Sequence, residues 1–124
     1  MPRYMSFMLT TEQIRNRTKT VTRRLGWKFL KVGDVVNACV KCQGIPKGES
    51  IEKICQIRIR DVRREPLNAM IRNDDEAARE GFPNLTAVSF VAMFCVEMGC
   101  DPVDEVTRIE FEYLDSPDGG DGSS

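Results

Sequence analysis

Between Gln13 and Lys31 the chain carries seven cations, Arg15, Arg17, Lys19, Arg23, Arg24, Lys28 and Lys31, and no carboxylate. Such a run suits an anionic ligand, because lysine attracts phosphate as a point charge and arginine grips it with a planar fork. It equally suits a solvated charged face. The net charge of the chain is only −1, and the acid lies elsewhere, with nine carboxylates against Arg108 alone from Glu97 onward. A basic segment in a near-neutral chain favours a local anion site over wholesale coating of DNA. Arg23, Arg24, Trp27 and Lys28 set an indole among cations. That composition serves to stack a base beside a phosphate, or to plug a barrel with the indole N–H satisfied. Arg58, Arg60, Arg63 and Arg64 form a second basic group, read as the solvated face of a half-buried strand or a supporting wall for a cleft.

What is missing narrows the chemistry further. There is no histidine, which removes Ser-His-Asp and Cys-His nucleophiles and the histidine-based zinc proteases. Any enzyme here takes its base from Lys, Asp or Glu. Five cysteines form an odd set, for which reduced thiols are expected rather than a disulfide framework. Cys39 and Cys42 with Cys95 and Cys100 would supply four zinc thiolates, but a three-residue offset at the end of a strand faces the first pair apart, and no metal is expected. Nothing in the residues calls for a cofactor. The first residues lack an apolar signal core, and no apolar run approaches the roughly 20 residues of a membrane helix, so a cytoplasmic chain without a membrane partner is expected.

The elements that must position these groups follow from patterning. The length of 124 residues suits one domain over 1–114 and an acidic Gly/Ser tail, expected to be disordered, over 115–124. Thr10 or Thr11 caps a short helix, and Thr20-Val21-Thr22 begins an extended segment. Lys31-Val32-Gly33-Asp34 turns into a strand over 35–42. Strict alternation of Ile57 and Ile59 with Arg58 and Arg60 marks a strand over 54–63, and Ile109, Phe111 and Tyr113 against Arg108, Glu110 and Glu112 another over 106–114. Asn73-Asp74-Asp75-Glu76 opens a helix that stops at Gly81. Leu85-Thr86 opens a second helix through about Met98 with Gly99 as its cap, and Phe90, Val91, Phe94 and Met98 recur on its core face. Strands near 20–24, 35–42, 54–63 and 106–114 do not alternate with helices as βαβ units do. The predicted fold is therefore α+β, a small, mostly antiparallel sheet curled into a barrel with flanking helices.

Met5-Ser6-Phe7-Met8-Leu9-Thr10-Thr11-Glu12-Gln13-Ile14, followed by Lys19-Thr20-Val21-Thr22-Arg23-Arg24, resembles the opening of ASCH-domain proteins of the PUA-like superfamily. The family signature is a Gly, a Lys two residues on, and an Arg five residues after the Lys. Lys19 and Arg24 match that spacing, and Arg17 stands at the Gly position. Lys31-Val32-Gly33-Asp34, Asp61 to Leu67, Glu80-Gly81-Phe82-Pro83 and Thr107 to Phe111 extend the resemblance in consistent order from about Met5 to Leu114. A Gly there often turns left-handed, a conformation arginine adopts at a cost of about 1 kcal/mol; Asn16 is the alternative residue for that backbone role.

The resemblance implies a PUA-like barrel whose basic cleft, lined by the signature Lys19 and Arg24, binds RNA or a modified nucleoside or nucleotide; the composition adds Arg23, Trp27 and Lys28 to that candidate binding set. The resemblance also implies an alternative. Some members resemble amidohydrolases of acylated cytidine that use a Lys, a Thr three residues later and a Glu from a later helix, which here are Lys19, Thr22 and Glu80, with Glu76 as the other register. A desolvated lysine beside Arg23 and Arg24 loses its proton near neutrality and is able to activate the Thr hydroxyl, and Glu80 then passes the proton to the leaving amine. In a regular strand over 20–24, however, Lys19 and Thr22 point to opposite faces. A more distant reading is a phage-encoded protein-interaction factor whose acidic tail and basic segment contact partners.

Overall fold

Hydrophobic alternation sets the longest elements. The computed structural model describes residues 3–42 and 44–114, and the expected tail over 115–124 lies outside them. The described strands are β1 (Arg3–Ser6), β2 (Val21–Arg24), β3 (Val35–Cys39), β4 (Lys53–Pro66) and β5 (Glu105–Tyr113); the helices are α1 (Thr11–Arg15), α2 (Asp75–Arg79) and α3 (Ala87–Met98). They form one five-stranded sheet in the order β1-β3-β4-β5-β2. Only β1 and β3 run parallel; the other pairs are antiparallel. The sheet curls into a half-barrel with β1 and β2 as its two edges, the α+β architecture expected from the pattern.

β4 is long enough to serve two cores. Ile57 and Ile59 in its first half join Met5, Phe7, Ile14 and Phe111 inside the curl. Beyond its second half, Leu67 and Met70 sit in a 3-10 segment (Leu67–Arg72) and pack with Phe90, Val91, Phe94 and Val106 beneath α3. A register shift between Ile59 and Asp61 separates the halves, and such a bulge bends a strand and sharpens its twist.

The helix punctuation follows local chemistry. Thr86 Oγ1 accepts the Ser89 N–H at the start of α3, and Gly99 closes it in the left-handed conformation at φ 67°. Asp74 precedes α2 but turns its carboxylate to the Ala87 N–H of α3 at 2.8 Å, tying the two helices together. Neither β1 nor the Leu67–Arg72 segment has a strong periodic signal, and both depend on tertiary pairing.

The cysteine expectation needs correction. Cys39 and Cys42 form a disulfide with Cα atoms 6.7 Å apart. The three-residue offset argument fails because β3 ends at Cys39, after a register shift at Ala38/Cys39, and the chain bends before Cys42. Cys95 and Cys100 lie as a separate pair with Sγ atoms 4.0 Å apart. Among the described residues no group of three or more Cys, Asp or Glu gathers where a metal ion would sit. No helix among them is long and apolar enough to cross a membrane.

Candidate functional site

The two cores meet along β2, and between them lies a cavity of about 390 Å³. Phe7 and Met8 after β1 form one side; Phe82, Phe90, Met93 and Phe94 form the other. Lys19, Thr22, Arg23, Arg24 and Glu80, together with Ser6, Thr10 and Glu97, supply its charged and hydroxyl groups. Five side chains from the sequence proposal thus line one space. An apolar box with a few converging polar groups is the usual form of a small-molecule site.

The Lys19–Thr20 backbone is clamped from several directions. The Lys19 N–H donates to the Gln13 carbonyl at 3.2 Å, and Thr20 N–H donates to Arg79 O at 2.8 Å. Phe111 N–H donates to Thr20 O at 3.0 Å, and the Tyr113 hydroxyl donates to Lys19 O at 2.5 Å. β2 begins only at Val21, so Lys19 lies in the clamped turn before the strand. That explains how Lys19 and Thr22 border one cavity although strand parity would separate them. Nonetheless, no hydrogen bond joins the two side chains.

Arg17 itself takes the left-handed backbone, at φ 64°, whereas Asn16 has φ −90°. The Arg17 guanidinium stacks over Tyr113 at 5.0 Å, the ring whose hydroxyl holds Lys19. The signature position therefore keeps its turn without glycine. Gly81 at φ +102° packs against Gln13, leaving only 2.8 Å between an added Cβ and Gln13 Cγ. This close approach seats Glu80 beside the clamped loop.

Lys19 is 3% exposed and Glu80 2%. Lys19 Nζ donates to Glu80 Oε1 and to the Glu80 carbonyl, each at 2.7 Å. Burial lowers the Lys19 pKa, with Arg24 and Arg23 acting the same way and Glu80 opposing them. Arg23 donates to Glu80 Oε2 at 3.0 Å and to Glu76 Oε1. Arg108 donates to both Glu76 oxygens, at 2.9 and 3.1 Å. Burial alone would raise the Glu76 pKa, but the bonds from Arg108 and Arg23 prevail and hold it at about 2.

This network corrects the reading of Arg108 as a solvated position. Arg63, Arg108 and Arg23 occupy matching registers across β4, β5 and β2. Like charges in direct cross-strand register repel. α2 inserts Glu76 between the buried Arg23 and Arg108, while Arg63 stays exposed and donates to Glu65 at 2.7 Å. Glu76 is therefore the residue that sequence reasoning underweighted. Its signal was an acid in the first turn of a short helix, which reads as dipole compensation.

Arg24 differs from its neighbours. Its Nε donates to Thr22 Oγ1 at 3.1 Å and its guanidinium lies over Phe7 at 4.7 Å, and among the described residues it makes no ion pair. Burial, partly offset by Glu80, lowers its pKa to about 10, so it stays charged at neutral pH. Trp27 and Lys28 do not line the cavity. Trp27 packs against the half-barrel core and Lys28 is exposed. Arg58 and Arg60 pair with Glu112, and Arg63 with Asp61 and Glu65, outside the cavity.

No family model and no curated protein matches the sequence. Solved structures match by shape. The hypothetical protein PH0355 aligns with TM-score 0.62 and 16% identity over 92% of this chain and 100% of its own. Protein EF3133 from Enterococcus faecalis V583, of the DUF984 family, aligns with TM-score 0.60 and 16% identity over 92% and 80%. An ASCH domain from Lactobacillus crispatus JV V101 aligns with TM-score 0.58 and 17% identity over 90% and 78%. At these identities the likeness concerns the fold, which this chain shares with the ASCH-domain structure, the DUF984 protein and PH0355.

Proposed function

We propose that the chain binds a nucleotide or modified nucleoside, free or within RNA, in the cavity along β2. The observation that carries this reading is Arg24. Lys19 and Arg23 are neutralised by Glu80 and Glu76, whereas Arg24 lines the cavity as a charged fork that, among the described residues, has no ion-pair partner and feels Glu80 only at a distance. A cation partly withdrawn from water gains most from an anion that arrives with the ligand. Phe82, Phe90 and Phe94 offer apolar and aromatic surface to a base. The neutral Lys19–Glu80 pair offers donor and acceptor edges beside it.

Titration with cytidine 5′-monophosphate and with cytidine tests this. The wild type prefers the monophosphate, and Arg24→Ala lowers its affinity by roughly 10- to 100-fold, the worth of a charge-assisted hydrogen bond. Cytidine itself loses much less. Equal binding of the monophosphate by both proteins would remove Arg24 from the site.

One further observation favours amide hydrolysis as a second reading: a buried lysine with a lowered pKa shares a cavity with Thr22 and is held by Glu80 at 2.7 Å. In this reading Thr22 Oγ1 attacks the acyl carbonyl of an acylated cytidine and loses its proton to neutral Lys19. Glu80 relays that proton from Lys19 Nζ to the departing amine, and water then cleaves the Thr22 acyl ester, releasing the acid and restoring the Thr22 hydroxyl. The Arg24 Nε bonded to Thr22 Oγ1 favours negative charge on that oxygen as the hydroxyl loses its proton. Thr22→Ala abolishes acid release and retains nucleoside binding; Lys19→Ala loses turnover as well. Release rises with pH as Lys19 deprotonates and levels off below the ordinary lysine value of 10.5, because its pKa is lowered. Normal turnover by Thr22→Ala removes this reading and leaves the binding site standing.

A further inference from the structure

The C-terminal end of α3 holds chemistry that the cavity reading does not use. Cys95 lies in the last turn of the helix and Cys100 just beyond it, and both are half-buried. Between them Gly99, left-handed at φ 67°, folds the chain back over the helix end. The Gly99 and Cys100 amides both donate to the Cys95 carbonyl, at 2.8 and 3.2 Å. These bonds hold the two residues together, with their sulfurs 4.0 Å apart. A disulfide needs about 2.05 Å, so each sulfur has about 1 Å to travel, a displacement within the reach of side-chain torsion.

The surroundings distinguish the two thiols. Cys100 Sγ donates to Cys95 Sγ. Burial above all, then this bond and the nearby charges of Cys95, Asp104 and Asp101, push the Cys100 thiol up to about 11. Cys100 therefore keeps its proton at neutral pH, and Cys95 is the sulfur that attacks. Asp101 and Asp104 belong to one tight turn, in which Asp104 Oδ2 accepts the Asp101 N–H at 2.9 Å. Their carboxylates give the approach to the pair a negative potential.

We infer that Cys95 and Cys100 are a redox dithiol that closes to an intrachain disulfide by exchange with small disulfides, cationic ones in preference to anionic ones. The Cys95 thiol loses its proton to solvent and attacks one sulfur of the small disulfide. The sulfur–sulfur bond breaks, and one half departs as a thiolate that solvent protonates. Cys100 then gives its proton to solvent and attacks Cys95 in the mixed disulfide, and the second half departs in the same way. Two cysteines are thereby oxidised by two electrons, and one small disulfide is reduced to two thiols. The second step is fast because the backbone already holds the ends of this short ring together. The pair is separate from the Cys39–Cys42 disulfide beyond β3. Glu97 and Met98, which stand between the two cysteines, line the cavity, so the new bond pins the end of that wall. Neither the pair nor its test depends on what the cavity binds.

The test incubates the full chain in glutathione buffers of increasing oxidised fraction, alkylates the remaining thiols with iodoacetamide, and maps tryptic peptides by mass. Trypsin releases 80–108 as one peptide, which holds Cys95, Cys100 and no other cysteine. The doubly alkylated peptide gives way to an unalkylated one about 2 Da lighter than the dithiol, and reduced glutathione reverses the change. Cystamine, a cationic disulfide, drives closure severalfold faster than oxidised glutathione at low salt, and the advantage shrinks at high salt. Cys100→Ser stops at a mixed disulfide on Cys95, whereas Cys95→Ser forms its adduct about fivefold more slowly. Circular dichroism verifies the fold of both variants. Amide exchange at Gly99 and Cys100 slows by about threefold or more once the wild-type bond has closed. The inference is overturned if the peptide stays doubly alkylated in every buffer, or if either cysteine is found joined to another peptide instead. It is overturned equally if oxidised glutathione outruns cystamine at low salt, if Cys95→Ser reacts as fast as Cys100→Ser, or if closure leaves amide exchange unchanged.

Discussion

The basic segment 15–31 divides into two halves with opposite electrostatic fates. Lys19 and Arg23 turn inward, where Glu80 and Glu76 neutralise them within hydrogen-bond distance. Lys28 and Lys31, with Arg3 from β1, stay exposed and have no ion-pair partner among the described residues. Arg24 stands between, partly enclosed and likewise without an ion pair among them. The inner charges serve the fold and set the protonation of Lys19. The outer ones are available to a partner. Net positive charge in a sequence segment therefore measures neither role until the position of each carboxylate is known, since a buried ion must be paired and an exposed one need not be.

The sharpest way to break this comparison is to remove the inner countercharge. Glu76→Gln leaves the guanidinium groups of Arg23 and Arg108 buried with half their compensation, and loss of one partner from a buried pair costs about 3–5 kcal/mol. The exposed reversal Lys28→Glu/Lys31→Glu changes stability by about 0.5 kcal/mol or less. Denaturant unfolding of both variants reads the difference directly. A Glu76→Gln cost below that of the double reversal would abolish the distinction.

Acid titration sharpens the same contrast without mutating the protein. The Glu76 pKa is depressed in the fold, from 4.5 to about 2. Its stabilisation is therefore fully present above pH 4.5 and disappears as pH falls toward 2, since the unfolded chain takes up the proton first. The corresponding loss is about 3 kcal/mol, from about 1.4 kcal/mol per pKa unit. Melting temperatures measured from pH 6 to pH 2 show this drop in the wild type and a shallower one in Glu76→Gln. Parallel profiles would mean that Glu76 does not govern the inner half.

The smallest effect concerns the turn between helix and dyad. Arg17→Gly relieves a left-handed arginine, worth about 1 kcal/mol, but it loses the contact over Tyr113, worth roughly 0.5–1 kcal/mol, and frees the unfolded chain. The net change in unfolding free energy stays within about 1 kcal/mol, and monophosphate affinity is unchanged. A larger loss of affinity would show that the Arg17–Tyr113 stack helps to set Lys19.

What the sequence determined by itself was whatever short-range physics decides. Alternation along Ile57–Arg60 and Ile109–Glu112, the Thr86 and Gly99 caps, and helical spacing at Phe90, Val91 and Phe94 each act within a few residues, and all are present in the fold. The spacing of Lys19, Thr22 and Arg24 was also legible as a constellation, through its resemblance to a family. Tertiary structure alone decided the environments. β1 needs β3 to exist as a strand, because Arg3–Ser6 has no periodic pattern long enough to act alone. Arg108 looks like a solvent-facing member of an alternating strand until α2, about 30 residues earlier in the chain, lays Glu76 across it. Cys39 and Cys42 meet because β3 ends where uninterrupted pleating would have kept them apart. Trp27, itself left-handed at φ 59°, packs against the half-barrel core and not into the cavity. In each case the deciding term is a contact or charge distant in sequence, and Coulomb energies and burial depend on distance in space, which local pattern does not encode.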